Sequence, residues 1–133
     1  MAWSNDYIGI PFKLNGRGMS SLDCWGLVRE VYSRELGIAL PAYSTEYQSA
    51  IDSEGFGVVF SEEQNEWIEV DRGDASEFDA VWCRIAGIEC HVGVFLGRGQ
   101  MLHAMQGADS CIVNIESVAW RRRVVQWYRH PSQ

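Results

Sequence analysis

Three side chains in this sequence carry the chemistry of nucleophilic attack on a carbonyl. Cys24 lies in Ser20-Ser21-Leu22-Asp23-Cys24-Trp25-Gly26-Leu27-Val28, and His91 and His103 lie in His91-Val92-Gly93-Val94-Phe95-Leu96-Gly97-Arg98-Gly99-Gln100-Met101-Leu102-His103. A thiol attacks as its thiolate, so it needs a base to take the proton and a third group to orient that base. A cysteine with two histidines can fill all three roles. The same residues also have ordinary uses, since free cysteine is among the most buried residue types. Their positions on secondary structure therefore matter.

Ser20 followed by Asp23 has the form of a capping box, which predicts a helix starting near Ser21. Winding it at 3.6 residues per turn gathers Cys24, Trp25, Leu27, Val28, Val31 and Tyr32 on one side and Arg29, Glu30, Ser33 and Arg34 on the other. Gly37 is placed to stop the helix, and Pro41 keeps it from resuming. Cys24 falls in the first turn, where unpaired N–H groups and the macrodipole favour a thiolate.

The histidines fall on a predicted hairpin. A three-residue loop Gly97-Arg98-Gly99, with Gly99 left-handed, pairs Leu96 with Gln100. That register sets Gly93 opposite His103 and His91 opposite Met105, so the two imidazoles share one face as diagonal neighbours over a glycine. Val92, Val94, Leu96, Leu102 and Ala104 take the other face and should meet core. His130, the third histidine, sits in the terminal tail and is expected in solvent.

The remaining pattern fits one domain over residues 1–133. The segment from Trp3 to Asn15 reads as a surface lead-in beside the cysteine helix, and Ser44 to Ser53 has helical spacing. Short strands are expected at Trp67–Val70, Ala80–Ile85, Cys90–Leu96, Met101–Met105, Cys111–Ile115 and Val124–Tyr128. Helices followed by consecutive strands indicate an α+β domain around an antiparallel sheet.

Composition narrows the function. The chain has 133 residues, 47% hydrophobic and 22% charged, with a formal net charge of −7. Such an acidic balance argues against a nucleic-acid binder, and Arg121-Arg122-Arg123 is read as a solvated turn. No apolar run approaches the ~20 residues of a membrane span. The start shows no charged region followed by an apolar one, so the expected place is the cytoplasm, with release by lysis or within a larger particle. Cys24, Cys83, Cys90 and Cys111 form no C-x-x-C pair, and free thiols are the expectation. Spacing alone leaves a mixed Cys/His metal site open.

Asp23-Cys24-Trp25-Gly26-Leu27-Val28, then His91-Val92-Gly93-Val94-Phe95-Leu96-Gly97, then Met101-Leu102-His103-Ala104 resemble the NlpC/P60 cysteine peptidases. The resemblance implies a papain-like α+β fold, with an N-terminal nucleophile helix packed on an antiparallel sheet. It implies Cys24 as nucleophile, His91 as base and later acid, His103 as orienting residue, and no cofactor or metal. The implied substrate is a peptidoglycan stem peptide. By position, Asp23, Trp25 and Phe12 are implied at the substrate-binding site, with Asp23 matching an acid that holds a free amino group. Two departures stand out: Phe12 lacks the phenol of a Pro-Tyr segment, and Trp25 replaces a serine, which puts the exact bond in question. The Asp-Cys-Trp-Gly variant in a compact chain resembles members associated with bacteriophage tails and gene-transfer particles, which implies tail-tip proteins as partners and the virion tail as destination. Two other readings stay open: a thiol amidase or acyltransferase on another amide, and a structural tail-tip protein with a vestigial site.

Overall fold

A computed structural model describes residues 2–42 and 66–133. The expected helix at Ser44 to Ser53 lies outside the described residues. After a 3-10 turn at Trp3–Tyr7 comes α1 (Cys24–Val31), followed by β1 (Ile68–Val70), β2 (Ala80–Ile85), β3 (Ile88–Gly97), β4 (Gln100–His103), β5 (Cys111–Asn114) and β6 (Val124–Arg129). The strands form one antiparallel sheet in the order β1-β6-β2-β3-β4-β5. No helix among the described residues is long and apolar enough to cross a membrane.

The helix starts three residues later than the capping-box reading places it. Pro11–Lys13 holds the preceding segment extended: Leu22 N–H donates to the Pro11 carbonyl (3.1 Å) and Lys13 N–H to the Leu22 carbonyl (3.1 Å). Asp23, not Ser20, is the cap, with extended backbone and a carboxylate that accepts from Gly26 N–H at 2.8 Å. An anionic cap satisfies the third helical N–H and complements the dipole, and pairing with the lead-in leaves Ser20–Leu22 unavailable to a helix. Cys24 is thus the first helical residue. At the other end the chain runs through a π-type turn, Tyr32–Leu36, to Gly37, whose φ of 68° lets it end the helix as expected.

The predicted apolar stripe is the buried one. Cys24, Trp25, Leu27, Val28, Val31 and Tyr32 pack with Ala80, Trp82, Val92, Val94, Leu102 and Ala104 from the sheet. α1 lies chiefly against β3. Tyr7 and Ile10 of the lead-in join this cluster, so that segment is more deeply packed than a surface crossing. On the other face a second cluster gathers Val70, Val81, Cys83, Phe95, Met101, Ile115, Trp120 and Trp127. The chain therefore wraps the sheet on both sides, with β6 returning from the β5 edge to lie between β1 and β2.

The β3–β4 hairpin closes with a two-residue turn in place of three. Gly97 pairs with Gln100 across Arg98 and Gly99, which have φ of 53° and 73°, the left-handed pair of a type I′ turn. Leu96 bulges, and beyond it Phe95 pairs with Met101 and Val94 with Leu102. The shorter loop and the extra bulge residue cancel, so the register reaching the histidines is the expected one.

Candidate active site

The alternation of β3 and β4 and this register put His91 and His103 on the same face, and the rings meet directly. His91 Nε2 and His103 Nδ1 are 2.9 Å apart, with the ring planes at 87°. The space above Gly93 is not left to them. A Cβ there would lie 2.5 Å from Met101 Sδ, so the Met101 side chain fills it. Gly93 instead lets a buried methionine brace the face on which the imidazoles stand.

Two residues outside the motifs complete the histidine corner. The Trp120 ring lies edge-on to His103 at 4.8 Å and tilted to His91 at 6.0 Å. Arg123 sets its guanidinium over the same indole, 4.8 Å from the centroid. Arg123 is half-buried, so the arginine run is more than a solvated turn. Its partners sit on β3 and β4, far away in sequence, and an aromatic beside a basic run was the one signal of it.

Burial decides the protonation state of this corner. Both imidazoles are 4% exposed. Burial, then the charges of His103 and Arg123, lowers the His91 pKa to about 3. Burial and Arg123 lower that of His103 to about 4. Both rings are neutral near pH 7, the form that accepts a proton from a thiol.

Cys24 is 6% exposed and belongs to the helix-side cluster, at the head of the helix that packs on the strand of His91. Cys24, Cys83 and Cys111 are not in disulfides. Among the described residues no cluster of three or more His, Cys, Asp or Glu is arranged to hold a metal ion.

The three residues implied in substrate binding part company. Asp23 is 2% exposed, and its oxygens accept from Gly26 N–H (2.8 Å), Asn15 N–H (2.9 Å) and Arg17 Nη1 (2.8 Å). A substrate amine would have to displace Arg17, which also donates to the Ala42 carbonyl. Trp25 is buried, and its Nε1 donates to the Pro41 carbonyl at 2.7 Å. Phe12 lines an open cleft, of about 390 Å³, with Pro11 and Gln106–Asp109. That cleft lies between the segment leading to Cys24 and the loop following His103. His130, expected in solvent, is half-buried and meets the Trp67 ring edge-on at 5.0 Å.

The NlpC/P60 family model matches residues 9–129, from the lead-in through the last strand. The chain belongs to the NlpC/P60 family. It is 25% identical over 118 residues to murein DD-endopeptidase MepS/murein LD-carboxypeptidase of Escherichia coli, covering 89% of this chain and 54% of that protein. Protein P54 of Enterococcus faecium is 31% identical over 114 residues, 86% of this chain and 19% of that one. The chain thus spans about half or less of these curated relatives. Among solved structures, the NlpC/P60 domain of the peptidoglycan hydrolase SagA superposes with a TM-score of 0.67 at 21% identity, covering 94% of this chain and 91% of that one. RipD of Mycobacterium tuberculosis, described as a non-catalytic NlpC/P60 protein adapted to peptidoglycan binding, superposes with a TM-score of 0.61 at 18% identity, covering 96% and 91%. These neighbours have the α+β arrangement of helix on antiparallel sheet implied by the resemblance.

Proposed function

We propose that this NlpC/P60 chain is a cysteine peptidase that hydrolyses an amide bond in peptidoglycan stem peptides without a metal. The observation that carries the reading is the hydrogen-bonded pair of neutral, buried imidazoles on β3 and β4, on a strand packed against a helix that begins at Cys24. The relatives named as murein and peptidoglycan hydrolases supply the substrate class.

In this mechanism His91 uses Nε2 toward His103, and Nδ1 takes the proton of Cys24. The thiolate attacks the amide carbonyl, forming the C–S bond. The oxyanion is met at the helix head, where the Cys24 N–H points out of the helix end. His91 returns the proton to the leaving nitrogen as the C–N bond breaks. A water, deprotonated by the same ring, attacks the thioester, and the thiol is restored with release of the new carboxyl end. The cleft beside Phe12 receives the peptide. Because Asp23 is engaged by Arg17, the reading includes cleavage that does not depend on a free amino group.

Digestion of purified peptidoglycan, with mass spectrometry of the new ends, tests this. Cys24→Ala should abolish cleavage, and His91→Ala should slow it by about 10²- to 10⁴-fold. Normal cleavage by either variant refutes the mechanism. The burial of Cys24 and both imidazoles favours a second reading, a wall-binding module like that described for RipD. Wall binding with no cleavage, and a thiol inert to iodoacetamide across pH 6 to 9, would establish it.

The finer reading places the protein in a phage tail or gene-transfer particle, with tail-tip proteins as partners, supported by the Asp23-Cys24-Trp25-Gly26 variant. Mass spectrometry of purified particles from a producing culture tests it: the chain should be found in the tail fraction. Its absence there removes this assignment.

A further inference from the structure

Outside the three expected site residues, the thiol of Cys111 touches the histidine pair. Antiparallel pairing of β4 with β5 sets Cys111 directly across from His103. Residues directly opposite on adjacent strands present their side chains on one face, and here the two meet. Cys111 Sγ is 3.6 Å from His103 Nε2. Since His103 Nδ1 is bonded to His91 Nε2, both nitrogens of His103 have partners, and the three side chains form a line from His91 to Cys111.

A line of neutral imidazoles has two consistent proton arrangements. If Cys111 S–H donates to His103 Nε2, then His103 Nδ1–H donates to His91 Nε2. The proton of His91 is then on Nδ1, and that nitrogen cannot act as a base. If His103 Nε2–H donates to the sulfur, His103 Nδ1 accepts from His91 Nε2–H, and His91 Nδ1 keeps its lone pair. The far end of the line therefore selects whether the near end is a base. The second arrangement also needs no change in direction when His91 takes up a proton, because Nε2–H already points at His103.

We propose that Cys111 is a positioning residue whose sulfur accepts the Nε2 proton of His103 and so holds His91 in the tautomer that can deprotonate a thiol. The inference rests on the peptidase reading for its kinetic consequence and on the ring contacts alone for the tautomer. The charged and polar neighbours of the line are His91 from β3, Arg123 from the loop before β6, and the Trp120 ring edge between them. Burial raises the Cys111 pKa, which keeps it a thiol near pH 7.

Three substitutions separate acceptor from filler. Cys111→Val keeps the volume and removes the acceptor; kcat should fall about fivefold with KM unchanged, the worth of one modest hydrogen bond. Cys111→Ser restores an acceptor and should return kcat to within about twofold of wild type. Cys111→Asp adds charge at the end of the line and should move the acid limb of the kcat/KM profile to higher pH. Equal losses for Val and Ser, or wild-type kinetics in Val, overturn the proposal while leaving the peptidase reading intact. Nitrogen-15 NMR of the imidazoles decides the matter even if wild-type protein cleaves nothing: His103 should show a protonated Nε2 in wild type and mixed tautomers in Cys111→Val. A protonated Nδ1 on wild-type His103 overturns it.

Discussion

Two regions of the molecule solve opposite problems. On the face covered by α1, apolar side chains from helix and strands bury one another, and Cys24 is packed in that cluster. At the corner of β3 and β4, polar groups are buried, where they must be paired to be tolerated: His91 bonds His103, His103 meets Cys111, and the Trp120 ring packs edge-on against His103. The first region is stable because it is apolar. The second holds neutral imidazoles because it is dry, and the same dryness lowers their pKa values. Burial, with the positive charge of Arg123 nearby, keeps these imidazoles unprotonated near neutrality.

Removing the lid over the polar corner should have the largest effect. Trp120→Ala is expected to cost about 3 kcal/mol of stability and to let water reach both rings. Their pKa values should then rise toward 6.5, seen in proton NMR titration of the histidine ring signals. Loss of stability without that rise would mean that the indole is not what dries the corner.

Next comes the helix side. A Cβ on Gly26 would sit 2.2 Å from the Gly16 carbonyl oxygen, because the loop before α1 crosses its first turn at backbone distance. Gly26→Ala should destabilise by about 1–3 kcal/mol in urea unfolding. The histidine tautomers should be unmoved, since the strain falls on the loop at Gly16. A shift of the His103 ring nitrogens in this variant would show that the two regions are coupled.

The smallest effect is on pH dependence. Both imidazoles have folded pKa values below the unfolded value of 6.5, so the unfolded chain binds protons first as pH falls. Their contribution is fully present above about pH 6.5 and is lost progressively down to about pH 4 and below. Tm measured from pH 7 to pH 4 should decline, and His103→Gln should flatten part of that decline. An unchanged slope would place the acid sensitivity elsewhere.

Much of the helix side was legible from local pattern. The stripe Cys24, Leu27, Val28, Val31 repeats at helical spacing, and a left-handed glycine ends the run, so neighbouring residues were enough. The hairpin's register was legible but its loop was not: the turn has two residues where three were expected, and the bulge at Leu96 restores the register that alternation carries to both histidines. The start of α1 was misplaced because the competing partner, Pro11–Lys13, is distant from Ser20 and draws Leu22 into extended pairing. Trp120 was unreadable as a lid, since a long connection before β6 carries it over β3 and β4.

Residue types and short-range periodicity by themselves determined a cysteine at a helix head, two histidines on one hairpin face and an apolar stripe to join helix to sheet. Tertiary structure alone decided that Asp23 is engaged by Arg17, that Trp120 closes over the rings and that Cys111 ends their hydrogen-bond line. The reason is physical: helical and strand spacing act over a few residues of regular structure, whereas burial and pairing across loops depend on where the whole chain has gone.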